Sequence, residues 1–295
     1  MSSPNVSSTL FLLTHPYQRL QPVTGGRKQL KAEGRRPGSA LVWAMGRGVY
    51  EHDVAVVNRR PGGLALLAVL PGSRGLPGDG TLVRLLDSVR PNAILPHQAG
   101  LDAGDLVSTL RQPPEDLGTE VTDYVAWRGI PMDRETSHLV RRTVTLSADL
   151  RSVAALSRSL YLSRRALGRR FMARGLPVPS HWLHFARLLR VAIRLQSSEE
   201  SVLSVGYELG YPDAFSLSNQ MVRLTGYRPS HVRRYLGWEW LLEAWLRQEA
   251  DTGGLAPELT VELLSSAGEA DVRFRNRSRT AIRTREERRR REVVG

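Results

Sequence analysis

The chain contains no cysteine. Structural disulfides and thiolate metal sites are thereby excluded. No apolar run approaches the ~18 residues of a membrane-spanning helix. The N-terminal "TLFLLTH" is too short for the hydrophobic region of a secretion signal. It also lacks a basic leader and a small-residue cleavage site. A reducing cytoplasm is therefore the expected compartment, and no membrane partner is expected. His181, His184 and His231 lack the spacing of a metal site. "GSRGLPGDG" (72–80) lies between a strand and a helix pattern but matches neither nucleotide-binding fingerprint. Ser, His and Asp occur without a motif that would assemble a catalytic triad. Neither an enzyme nor a cofactor is expected.

The 295 residues leave room for about two domains, and 41% apolar with 24% charged residues suits a globular protein. The net charge of +13 is unevenly placed. Residues 1–149 carry +3 and residues 150–238 carry +10, from 14 basic against 4 acidic residues. Residues 239–270 carry −6 and residues 271–295 carry +6. Focused positive charge points to a polyanion, nucleic acid before an acidic surface; a basic but inert face is the bland alternative.

Residues 1–40 are rich in Ser, Gly, Pro and Arg, with a poor hydrophobic pattern, and are expected to be disordered. Three short apolar runs follow, at 41–46, 53–57 and 64–70, and read as buried strands. "NAILP" is a further strand candidate. Residues 80–89 and 102–111 have helical spacing, with Asp102 as N-cap. Strands alternating with helices predict a small α/β domain, with a parallel sheet, over 41–142 including a connection from 113. The run "LALLAVLPG", within residues 53–112, resembles the central strand of bacterial receiver domains. Ala68 stands where that family carries its phosphoacceptor aspartate, so the resemblance implies no phosphotransfer.

Residues 143–238 read as helical throughout, an all-α C-terminal domain with two helix-turn-helix units joined by a long linker helix. The first unit pairs "LRSVAALSRS" (150–159) with "LSRRALGRRF" (162–171) across a tight turn. At about 100° per residue, Phe171 lies near Leu167 and defines a buried side, while Arg165 and Arg169 fall about 160° and 200° away. Arg164 and Arg170 lie on the flanks. Ser163 suits an N-cap, leaving free N–H groups at a helix start that attracts anions. The second unit pairs 200–210 with 211–226, where Leu217, Met221 and Leu224 form the inward stripe. Phe215 and Asn219 take the outward angles, with Ser218 and Arg223 beside them. "SHWLHFARLLRVAIRLQ" (180–196) is the linker helix. Residues 239–250 continue a Trp-rich amphipathic helix whose apolar stripe is expected to dock on the protein. Residues 251–295 are expected to be mostly disordered and Arg-rich, adding sequence-independent attraction to phosphates.

Residues 150–236 resemble the two-unit DNA-binding domain of the AraC/XylS transcription regulators. The likeness rests on "LSRRALGRRF", on "RLLRVA" (187–192), on "VGYELGY", on the step from Gly210 to Gly226 and on "GYRPSHVR" (226–233). One extra residue falls near Pro177. Tyr161 stands where the family prefers Gly, Gly206 where it has Ala, and Leu217-Ser218-Asn219 where it has Phe-Ser-Arg. The resemblance implies sequence-specific reading of two successive major grooves. Arg165 and Arg169 would contact bases, with Phe215, Ser218, Asn219 and Arg223 in the second unit. Ser163, Arg164, Arg170, Arg174, Arg228 and Arg233 would contact phosphates, with internal ion pairs as their alternative role. Double-stranded DNA is the partner implied. RNA polymerase or a second copy of the chain are the protein partners open to such a regulator, and the N-terminal domain could sense a small-molecule effector, dimerise the chain or only support the fold. The α/β N-terminal half does not fit the family's sugar-sensing domain. A protein-interaction adaptor with a degenerate DNA-binding domain is the alternative.

Overall fold

The computed structural model describes residues 9–34, 36–45, 51–70, 80–96 and 102–259. The first half builds a five-stranded mixed sheet from β1 (Leu10–Leu13), β2 (Leu20–Pro22), β3 (Ala40–Ala44), β4 (Ala65–Val69) and β5 (Ala93–Leu95), in the order β2-β1-β3-β4-β5. β3, β4 and β5 run parallel, and β1 is antiparallel to both β2 and β3. Every residue of β4 is buried, as expected of a parallel strand covered on both faces. Side chains alternate between those faces. Leu41, Trp43, Leu66 and Ala68 join one core; Ala40, Val42, Ala65, Leu67 and Val69 join the other. Leu30 of α1 (Gly26–Glu33), Val56 and Val57 of α2 (Glu51–Asn58) and Leu82, Leu86 and Val89 of α3 (Thr81–Val89) cover the first. Leu106 of α4 (Ala103–Arg111) covers the second.

Three expectations are corrected here. Residues 53–57 are helical, in α2. Among its described side chains the buried ones are Asp53, Val56 and Val57, spaced i, i+3 and i+4, and Arg60 is buried just past the helix end. Asp53 and Arg60 are charged, which disguised a helical stripe as a run of valines. Residues 1–40 are not a uniformly disordered segment, because β1, β2 and α1 lie within them. Tyr17 accounts for part of this order: its hydroxyl donates to Gly38 O and accepts from Leu236 N, both at 2.9 Å. Finally, the sheet is mixed rather than parallel, since β1 and β2 come from that same segment. The loop at 72–79 and the tail beyond Leu259 lie outside the described residues.

The second half is all helical: α5 (Leu117–Trp127), α6 (Arg134–Leu146), α7 (Val153–Ser159), α8 (Arg164–Met172), α9 (Pro179–Ser197), α10 (Val202–Glu208), α11 (Ala214–Thr225), α12 (Pro229–Val232) and α13 (Glu239–Asp251). Residues 113–142, read as a connection, supply α5 and α6, which belong to the helical core through Val121, Tyr124, Val125, Leu139 and Val140. α13 docks as expected. Trp245 stacks on Phe185 at 4.3 Å between ring centroids and meets Trp182 edge-on at 4.7 Å.

The helical domain sits on the edge of the sheet where β3, β4 and β5 begin. Its contacts there are polar and buried. The Tyr124 hydroxyl accepts from Gly63 N and donates to Glu243 Oε1, both at 2.8 Å. Arg128 Nε donates to the same carboxylate at 2.5 Å. Arg60 lies 4.1 Å from the Trp127 ring centroid and donates to the carbonyls of Val57, Leu64, Val89 and Arg90. Burial lowers its pKa, and those carbonyls and the ring replace lost water. Asn92 donates to Glu239, whose carboxyl pKa is raised by burial. The two domains are thus fastened by a network whose charges have little access to solvent.

Candidate nucleic-acid interface

Helices α7 and α8 meet in a tight turn. Ser152 caps α7 by accepting from Ala155 N, and Ser163 caps α8 by accepting from Ala166 N at 3.1 Å. Between them the chain reverses through three backbone bonds: Leu160 N to Leu156 O, Tyr161 N to Arg158 O, and Leu162 N to Ser157 O at 2.9 Å. The second unit repeats them: Leu209 N to Val205 O, Gly210 N to Tyr207 O, and Tyr211 N to Gly206 O at 2.9 Å. This paired closure is a Schellman-type helix end, which needs a left-handed residue. Tyr161 and Gly210 are those residues. The second turn is one residue longer, because Pro212 precedes the cap Asp213.

Each second helix is anchored by its apolar stripe. Leu167 and Phe171 have no exposure, and neither have Leu217 and Met221. The opposite faces are open. Arg164, Arg165 and Arg169 are exposed on α8, and none has an ion pair among the described residues. Phe215, Asn219 and Arg223 are exposed on α11, Phe215 at 68%. Ser218 and Val222 are half-buried at its margin. The outward set read from helical angles is therefore brought together on each unit.

Other basic residues are used internally. Arg170 pairs with Glu135, and Arg174 with Asp133, both at the start of α6. Arg233 turns inward and donates to the carbonyls of Ser198 and Glu200. Arg228 is exposed at the start of α12. Arg190 donates to the carbonyls of Val144 and Thr145 and to the Ser147 hydroxyl. Arg194 pairs with Glu200 at 2.6 Å. Much of the basic excess is thus structural, while Arg164, Arg165 and Arg169 on α8 and Arg223 and Arg228 on the second unit stay exposed.

The two helix starts differ in charge. Ser163 is neutral and keeps its hydroxyl proton free to donate. Asp213 is a carboxylate whose pKa is held down by the Ser216 amide and hydroxyl. The α8 start therefore attracts an anion and the α11 start already carries one. His184, beside the second unit, has its pKa lowered by burial and by Arg187, Arg223 and His181. No cluster able to hold a metal ion occurs among the described residues.

Sequence patterns did not single out Leu203 and Tyr207 on α10, exposed at 43% and 58%. Nor did they show that the Arg151 guanidinium packs over Gly210, joining the start of the first unit to the turn of the second. No periodicity reports such a contact. Glu239, Glu243 and Glu249 of α13 are buried as well.

No helix among the described residues is long and apolar enough to cross a membrane. Comparison with curated proteins and with solved structures finds no match. Residues 156–235 match the family model of a helix-turn-helix domain. That match does not reach the N-terminal half, so the likeness to receiver domains gains no support from it. Its span covers both turns, both open helices and the linker helix. Residues 156–235 are accordingly a helix-turn-helix domain of the AraC type, a DNA-binding module of transcription regulators and not of an enzyme family.

Proposed function

We propose that the chain is a sequence-specific transcription regulator that sets α8 and α11 in successive major grooves on one side of a duplex, ~34 Å apart. The observation carrying this reading is the free outward face of Arg165 and Arg169, opposite the buried Leu167 and Phe171. Each arginine can fork onto guanine O6 and N7, giving roughly 1–3 kcal/mol of discrimination. Arg164 and the Ser163 hydroxyl, with Arg228 of the second unit, hold phosphates. Arg170, Arg174 and Arg233 join them only by exchanging their internal acceptors for DNA oxygens. In the second unit Asn219 pairs with adenine, Phe215 presses on a thymine methyl, and Ser218 and Arg223 reach the groove edges. With one arginine on that face and a carboxylate at its helix start, the second unit contributes less than the first.

Selection from random duplexes by gel shift tests the reading. An enriched motif with two parts about 10 base pairs apart is expected. No enriched motif, with Arg165→Ala and Arg169→Ala leaving affinity unchanged, overturns it.

A second reading has its own observation. Leu203, Tyr207 and Phe215 leave apolar surface open on the second unit. A protein partner there would make the chain an adaptor. Capture of one stoichiometric partner, unaffected by nuclease, would favour that reading.

A further inference from the structure

The linker helix α9 carries His181, His184 and Arg187 along one stripe, at i, i+3 and i+6. Arg187 is the innermost of the three. It is 9% exposed and has no ion pair among the described residues. Its Nε is buried without a hydrogen-bond partner. Arg60, also buried, has four carbonyl acceptors instead. Arg187 lies 5.1 Å from the ring centroid of Tyr211, in the turn of the second unit. The Tyr211 hydroxyl is buried too and has no acceptor. Buried donors without acceptors are costly, and two side by side point to a ligand that completes them.

The surroundings are cationic. His184 is half-buried, and burial together with Arg187, Arg223 and His181 holds its pKa down. Arg223 comes to this place from the exposed side of α11. Glu249, the carboxylate that meets His181, is also held by Trp245. Free donors among basic side chains suit an oxyanion. Placement narrows the choice of oxyanion. α9 joins the two reading helices, and between successive major grooves run the phosphates that border the minor groove. Because Arg223 belongs to the outward set of α11, the site opens toward the duplex.

We propose that Arg187, His184 and Tyr211, with Arg223 at the mouth, form an oxyanion site between α9 and the second unit. It takes one phosphate of the DNA backbone between the two halves of the target. This rests on the reading of residues 156–235 as operating on DNA. The linker helix is then itself a DNA-contacting element, and it fixes the spacing of the two half-sites without reading a base.

The test uses the full chain, Arg187→Gln and His184→Gln. The probe is the selected duplex carrying one uncharged methylphosphonate at each backbone position in turn. At one position between the half-sites, the substitution should weaken wild type roughly tenfold. Both variants should bind the unmodified duplex more weakly and lose nothing further at that position. Their slope of log K against log salt should fall by ~0.9, one phosphate's worth. Should Arg187→Gln fail to fold, His184→Gln decides alone. Equal losses in all three proteins at every position overturn the site, as does a coupled position lying outside the span between the half-sites. In a second arm, inorganic phosphate is titrated into wild type while the His184 ring is followed by NMR. A shift there without any coupled backbone position would mean a site for free phosphate, and would overturn the assignment to DNA. If no duplex is selected at all, the regulator reading falls and the assignment to DNA falls with it.

Discussion

Tyr161 and Gly210 hold the same place in the two turns, and both backbones are left-handed, at φ 54° and 77°. Glycine adopts that conformation freely; a tyrosine there carries roughly 1–2 kcal/mol of strain. The Tyr161 side chain is 96% exposed, so it recovers nothing through packing. Tyr161→Gly should raise stability by about 1 kcal/mol, after glycine's extra unfolded-state entropy, without changing DNA affinity. Gly210→Ala should do the reverse by about 1–3 kcal/mol, because it adds strain and displaces Arg151. Denaturant unfolding of the two variants checks both signs.

Glu135 holds Arg170 in an ion pair at the edge of α8. If phosphate must displace that carboxylate, Glu135→Gln should tighten binding to every duplex, by about two- to fivefold, with no change in sequence preference. Titration of a specific and a scrambled duplex checks this. Tighter binding to one sequence alone would contradict the assignment of Arg170 to the backbone.

Glu243 receives both Tyr124 Oη and Arg128 Nε, and its side chain is 1% exposed. Removing the carboxylate breaks this buried ion pair and takes the acceptor from the buried Tyr124 hydroxyl. Glu243→Ala should therefore destabilise by about 3–5 kcal/mol. Tyr124→Phe keeps the ion pair and removes one hydroxyl bridging the domains, so about 1–3 kcal/mol is expected. Chemical denaturation monitored through tryptophan fluorescence separates them.

This buried network also shows where the sequence stopped being legible. Tyr124 and Glu243 are 119 positions apart, and no local pattern connects them. Asp53, Arg60, Glu239 and Glu243 look like solvent-facing charges until their partners are in place. α2 was misread for that reason. β1 and β2 were missed because three- and four-residue strands carry little signal of their own and are ordered by pairing with β3. The first unit was readable because its information is local: Ser163 as cap, Leu167 and Phe171 as anchors, arginines half a turn away. The ion pairs of Arg170 and Arg174 were not readable, since Glu135 and Asp133 lie in a segment taken for a connection.

Asp116 caps α5, and its pKa is lowered to about 2 by the Thr119 hydroxyl and amide and by Arg141. A depressed carboxyl stabilises the fold above its unfolded value, 3.8, and that contribution disappears as the pH falls toward 2. Asp116→Asn keeps an acceptor for the Thr119 amide but cannot titrate. Its stability should fall less steeply than wild type between about pH 4 and pH 2. Parallel pH profiles would contradict the shift.

The most direct test of the central claim is a base-by-base affinity matrix for wild type, Arg165→Ala and Arg169→Ala on the selected duplex. Each variant should lose about 1–3 kcal/mol and relax its preference at its own position within the first half of the site, leaving the second half unchanged. Matrices identical to wild type, or a uniform loss at every position, would show that α8 does not read bases.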